Sequence, residues 1–194
     1  MDINTVISDA LKVLKEGGVI LYPTDTVWGI GCDATNEKAV AKVFEIKRRS
    51  EAKSLVLLAS DLDMVAKYVK QIPSIAIDLV EVNDAPMTII YPEAQYFAPN
   101  AVAEDGSVGI RIPLDGPDGT SFCRELTRRL RRPLVSTSAN ISGEPTPRSF
   151  KEISEEIKSA VDYTVPRHFE EGSTGRASQI IKLGLGGEVE IIRA

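Results

Sequence analysis

Apolar residues recur at helical spacing from the start of the chain. Ile3, Val6, Ile7, Ala10, Leu11 and Leu14 mark one face over residues 3–16, and Gly17-Gly18 supplies the stop. The compact run GVILYP then reads as a buried strand, and TDTVWGIGCDAT follows as a polar, glycine-broken segment. Asn36 is placed to cap a second helix with the inner face Val40, Val43 and Phe44, ending in a cationic tail. LVLLAS reads as a strand, and Asp61 to Val82 as two short helices divided at Pro73, because proline lacks the donor a continuous helix needs. MTIIYP and VGIRIP are strands joined by a loop of about fifteen residues, a length that points to a functional or mobile segment.

Residues 119–131 predict an amphipathic helix with an arginine-rich polar face, and PLVSTSA another strand. Ser149 with Glu152 makes a capping-box start for a helix running toward Ala160. SQIIKL and EVEIIRA, separated by GLGG, close the chain as a hairpin. Strands alternate with helices over the first two thirds and cluster at the end, with no internal linker. The pattern predicts an α/β fold: a single domain over 1–194, built on one mixed, twisted open sheet flanked by helices.

Composition narrows the chemistry. The 194 residues carry 23 basic and 28 acidic side chains, a net charge of −5, with apolar and charged fractions near globular averages. No apolar run approaches the roughly 20 residues of a membrane span. Asp2 and Asn4 stand where a signal peptide would carry basic residues, so a cytoplasmic location is expected. Only Cys32, Cys123 and the single His168 are available as soft ligands, which excludes a structural zinc site and predicts no protein metal centre. His168 reads as a surface ring rather than a catalytic base.

Three polar clusters stand out. Lys47, Arg48 and Arg49, with Lys42 before them and Lys53 after, concentrate positive charge at a helix exit with only Glu45 and Glu51 against it. Cations complement a helix C-terminus without any ligand, but so many together repel one another unless an anion is present, and phosphate is the natural one. Ser136, Thr137, Ser138, Asn140 and Ser142 form a string of hydroxyls and an amide at a strand end. Pro23-Thr24-Asp25-Thr26 with Gly29 and Gly31 has the same location after GVILY, and ligands of open α/β sheets collect at such ends. There is no glycine-rich segment ending in GK[ST], and GLGG is too short and too late for a dinucleotide fingerprint.

Taken in order, these clusters resemble the YrdC-like family of threonylcarbamoyl-AMP synthases. PTDTVWGIGCDA is similar to the family's opening motif, Lys47-Arg48-Arg49 to its K-x-R element and Ser138-Ala139-Asn140 to its S-x-N element. VGIRIP, GEPTP, GRASQIIKL and IIRA match later segments, so the resemblance spans nearly the whole chain. Ser50 replaces the usual proline after K-x-R, Lys53-Ser54-Leu55 the usual K-P-L, Asn83 to Thr88 the W-P-G-P-L-T segment, Trp28 a tyrosine and Gln179 a threonine.

The resemblance implies a reaction and an assignment of residues. L-threonine, bicarbonate and ATP would give threonylcarbamoyl-AMP and pyrophosphate, for threonylcarbamoyladenosine modification of tRNA, with Mg2+ carried by the phosphates. It implies Lys47, Arg49, Ser138 and Asn140 as the catalytic set, and Lys53, Thr88, Thr146 and Arg193 as further ATP contacts. Thr26, Arg111, Ser136 and Ser178 would surround threonine. The acceptor of the intermediate would be tRNA or a threonylcarbamoyl transferase, with no membrane involved. Two rivals stand beside this reading. One is a non-catalytic RNA-binding module using Arg124, Arg128, Arg129, Arg131 and Arg132 with the 42–53 patch. The other is a carbamoyl transferase of the hydrogenase-maturation type.

Overall fold

The computed structural model describes residues 1–50, 55–116, 119, 121–170 and 172–194. In chain order these form α1 (Ile3–Lys15), β1 (Ile20–Tyr22), β2 (Gly29–Gly31), α2 (Glu37–Lys47), β3 (Val56–Leu58), α3 (Leu62–Tyr68) and α4 (Ser74–Val82). Then come β4 (Met87–Tyr91), β5 (Val108–Arg111), α5 (Phe122–Leu130), β6 (Leu134–Val135), β7 (Thr137–Ser138), α6 (Glu155–Ala160), β8 (Tyr163–Thr164), β9 (Gln179–Leu183) and β10 (Val189–Arg193). The expected α/β class is found, with mixed pairing and flanking helices.

The strands make two sheets rather than one. A four-stranded sheet runs β7-β2-β1-β8 and a six-stranded one β10-β9-β4-β5-β3-β6. β1 pairs antiparallel with β2 and parallel with β8, while β3 is parallel to β5 and antiparallel to β6. The expected single strand PLVSTSA breaks at Ser136. β6 belongs to the larger sheet and β7, one residue later, to the smaller, so this short segment ties the sheets together. A period-2 apolar pattern cannot show which neighbour a strand chooses, and GIG, with one apolar side chain between two glycines, is too short to give a pattern.

Alternation along the strands sorts side chains into two cores. Ile20, Tyr22, Leu58 and Leu134 pack with Val6, Ile7 and Leu14 of α1 and Leu126 and Leu130 of α5. Val19, Leu21, Leu57 and Val135 face the other way, into a larger cluster with Val40, Val43 and Phe44 of α2 and Val65 of α3. Gly31 lets the sheets close: a Cβ there would stand 2.3 Å from the Val135 oxygen and 2.6 Å from the Tyr22 ring, whose hydroxyl donates to that same oxygen at 2.9 Å.

Asn36 caps α2 as expected, accepting from the Ala39 N–H at 3.1 Å. The capping box at Ser149 is not made. Residues Phe150–Glu152 form a single 3-10 turn with no side-chain cap, and α6 starts only at Glu155, capped by Ser154 on the Ile157 N–H at 3.3 Å. Glu152 is instead turned back to the Arg148 N–H. Among the described residues no helix is long and apolar enough to cross a membrane.

Candidate functional site

Where the sheets part, a cavity of about 410 Å3 opens, walled by both sheets and by the loops that leave them. Its first wall is the segment after β1. Thr24 Oγ1 donates to the Val27 oxygen at 2.7 Å and lies 2.8 Å from Thr26 Oγ1, which folds Thr24–Val27 into a tight loop. Residues 173–175 strap that loop from outside: the Thr174 N–H donates to the Asp25 oxygen at 2.9 Å, and the Gly175 N–H and Ser173 hydroxyl to the Thr26 oxygen. Nothing local in the sequence signals this strap, because its partners lie about 150 residues away in the chain.

The six-stranded sheet supplies the floor. Thr88 of β4 sits directly opposite Arg111 of β5, so both share one face. Arg111 is only 3% exposed; its guanidinium pairs with the Asp25 carboxylate and donates to Thr26 Oγ1 at 3.2 Å. The second Asp25 oxygen accepts the Leu114 N–H at 3.1 Å. Thr88 Oγ1 and Ser178 Oγ are 2.8 Å apart, and the Ser178 carbonyl accepts Arg193 Nε at 2.8 Å, which lays the end of β10 across the rim. The long β4–β5 loop is part of the wall through Ala103 and Ser107.

The K-x-R and S-x-N segments meet on the opposite side. α2 ends in a Schellman-type turn: the Arg48 N–H reaches the Glu45 oxygen and the Arg49 N–H the Phe44 oxygen, with Arg48 in the left-handed region at φ 50°. The three basic side chains therefore diverge. Arg48 pairs with Glu156 on the surface, Arg49 lines the cavity, and Lys47 turns inward. The Lys47 ammonium donates to the Ser138 and Asn140 carbonyls, the latter at 2.8 Å, while the Lys47 carbonyl accepts the Ser142 N–H. Burial, reinforced by neighbouring Arg49, brings its pKa down to about 8, and burial also lowers that of Arg49.

The cavity brings together most of the residues expected from the sequence. Arg49, Thr88, Ser138, Thr146 and Arg193 line it with Thr26, Arg111, Ser136 and Ser178. Two expected residues are placed differently. Lys47 does not reach the cavity surface and acts on the S-x-N backbone. Asn140 spends both amide N–H groups on the Ile141 and Glu144 carbonyls, at 3.0 and 2.9 Å, leaving only a buried, unpartnered Oδ1 acceptor. Its amide N–H groups are thus engaged by the backbone of the turn they sit in. Thr88, expected beside the nucleotide, lies in hydrogen-bond contact with Ser178. Lys53 lies outside the described residues.

Sequence reasoning missed three features. Asp25 was visible in the motif but not as the partner of Arg111; the signal is that a buried arginine requires a countercharge. Trp28 is 1% exposed, packs on Phe150 at 4.9 Å between ring centroids and borders the cavity with its indole N–H unpartnered. Ser107 is the third. Elsewhere, burial pushes both cysteine thiols up, which disfavours the thiolate form, and His168 is exposed against Phe169.

The arginine-rich face of α5 is partly paired. Arg124 pairs with Asp115, Arg128 and Arg129 with Glu125, and Arg132 with the buried Asp33. Three carboxylates thus answer four of the five arginines, which leaves a local excess of positive charge smaller than the sequence count suggests.

Comparison with known proteins gives a family match, named relatives and a shared fold. The sequence model of the Sua5–YciO–YrdC family, described as "Telomere recombination", matches residues 12–194. The threonylcarbamoyl-AMP synthase of Xanthomonas euvesicatoria is 32% identical over 187 residues, 95% of each chain, and that of Hahella chejuensis 31% identical over 161 residues, 82% of this chain and 85% of its own. The crystal structure of P. abyssi Sua5 complexed with L-threonine has the same fold, with a TM-score of 0.80 at 24% identity; the match covers 94% of this chain and 52% of that one.

Proposed function

Because the chain belongs to the Sua5–YciO–YrdC family, we propose that it joins L-threonine, bicarbonate and ATP into threonylcarbamoyl-AMP, with release of pyrophosphate. The observation that carries this reading is that Arg49 and Ser138 share one cavity with Arg111, Thr26, Thr88 and Ser178. An anion-binding side faces a side rich in hydroxyls around a paired arginine. Relatives named as synthases match over most of their length, and the P. abyssi protein was crystallised with L-threonine.

The chemistry needs little beyond placement. The amine of threonine forms a bond to the carbon of bicarbonate and water leaves, giving a carbamate. A carbamate oxygen then attacks the α-phosphorus of ATP in line; the bond to the bridging oxygen breaks and pyrophosphate departs with the electron pair. Proximity and charge compensation dominate such transfers, and no histidine is required. Arg49, Ser138, Thr146 and Arg193 hold the nucleotide and its phosphates, Arg49 meeting the charge that grows on the leaving group. Arg111 receives the threonine carboxylate, and Thr26, Thr88, Ser136 and Ser178 receive its amine and hydroxyl. Lys47 and Asn140 keep the Ser138 turn in shape.

Among the described residues no carboxylate lines the cavity, so an Mg2+ accompanying ATP would be held by phosphate oxygens and water. In this proposal one domain over 1–194 carries the reaction and passes the intermediate to tRNA or to a threonylcarbamoyl transferase. The test is ATP–pyrophosphate exchange that depends on both threonine and bicarbonate. Arg49→Ala and Ser138→Ala are expected to lose exchange by 100-fold or more, on the order of one lost transition-state contact each. Exchange at the native rate in both variants would misplace the site.

A further inference from the structure

The buried pair Asp25–Arg111 sits at the wall of the cavity, yet only Arg111 faces into it; Asp25 stands behind, at the edge of a separate hollow. Both partners are held stiffly. Arg111 lies in β5 between β4 and β3, its carbonyl accepting the Ala59 N–H at 3.0 Å. Asp25 is clamped at its carboxylate by the Leu114 N–H and at its carbonyl by the Thr174 N–H. The Asp25 side chain is 12% exposed and that of Arg111 3%, so each charge depends chiefly on the other for compensation.

We infer that Asp25 is a positioning residue for amino-acid recognition: it orients Arg111 and cancels its charge, so that this end of the cavity accepts a monocarboxylate and turns away polyphosphate. The inference rests on the reading that the cavity binds threonine. A guanidinium without a countercharge in a cleft of lowered dielectric attracts the most highly charged anion present, and the reaction both consumes ATP and releases pyrophosphate. A guanidinium already paired offers its remaining N–H groups as fixed donors with no net charge behind them. Hydrogen-bond geometry then selects the ligand. ATP is left to the Arg49 side without competition for the threonine side.

The test is calorimetric titration of L-threonine and, separately, of inorganic pyrophosphate into the native chain, Asp25→Asn and Asp25→Glu. Asp25→Asn keeps the shape and removes the charge. Its threonine Kd is expected to rise about tenfold, the worth of one charge-assisted hydrogen bond, while its pyrophosphate Kd falls severalfold. Asp25→Glu keeps the charge but displaces the carboxylate, so threonine binding weakens and pyrophosphate binding stays native. A purely structural role would lower the melting temperature without moving the two constants in opposite directions. Native constants for both ligands in Asp25→Asn overturn the inference. If that variant does not fold, native threonine affinity in Asp25→Glu does so. A native chain that binds pyrophosphate but no threonine overturns the functional reading instead, and this inference with it.

Discussion

The Lys47 ammonium and the Asn140 carbonyl oxygen are 2.8 Å apart, joining the end of α2 to a turn that follows β7 more than ninety residues later. With the second bond to Ser138 and the return bond from the Ser142 N–H to the Lys47 carbonyl, this lysine fastens two basic and polar segments into one wall. Its observed contacts are to the backbone that presents Ser138.

Lys47→Met should therefore damage both stability and nucleotide binding. Removing the ammonium strands two carbonyls, at a cost of about 2–4 kcal/mol in urea unfolding, with Met filling most of the volume. Weaker ATP binding in a variant of a residue that does not line the cavity would be seen by calorimetry. Native stability in Lys47→Met would remove the fastening role.

The same residue shapes the pH dependence. Its folded pKa is down at about 8 against 10.5 for an unperturbed lysine. Between those values the unfolded chain binds more protons than the folded one, so this group's share of stability rises with pH across 8 to 10.5 and is flat below 8. The native-minus-Lys47→Met difference in unfolding free energy should show that rise. A difference that falls over the same window contradicts it.

Gly31→Ala should destabilise the fold by about 2–3 kcal/mol, since the new methyl meets backbone at Val135 as well as the Tyr22 ring. Pushing Val135 moves Ser136 and Ser138, so exchange activity falls with stability. Thermal melts and exchange assays on one preparation decide this; a native melt would mean that the sheets separate freely.

Two serines separate the observed helix start from the one read in sequence. Ser154→Ala loses the cap of α6 and about 1 kcal/mol, whereas Ser149→Ala, with no capping bond to lose, stays within about 0.5 kcal/mol of native. The reverse order in chemical denaturation would place the cap back at Ser149.

Much of the molecule was legible before any coordinates. The 3.6-residue period of α1, the Asn36 cap and the long apolar strands are local, and local signals survive into the fold because burial and capping act on neighbours in sequence. The K-x-R and S-x-N segments were likewise legible as charge and hydroxyl clusters, and Arg49 and Ser138 do face one cavity.

Tertiary structure alone decided the rest. That PLVSTSA changes sheets at Ser136, that Lys47 points inward while Arg49 points to the cavity, and that Arg111 finds Asp25 all depend on contacts between segments far apart in the chain. The amino-acid sequence determines which residues carry charge, hydroxyls or apolar bulk and where the chain turns. Which of those groups meet is set by the packing of two sheets against their helices, because the energy of a buried charge or an unpaired carbonyl depends on partners that no local pattern contains.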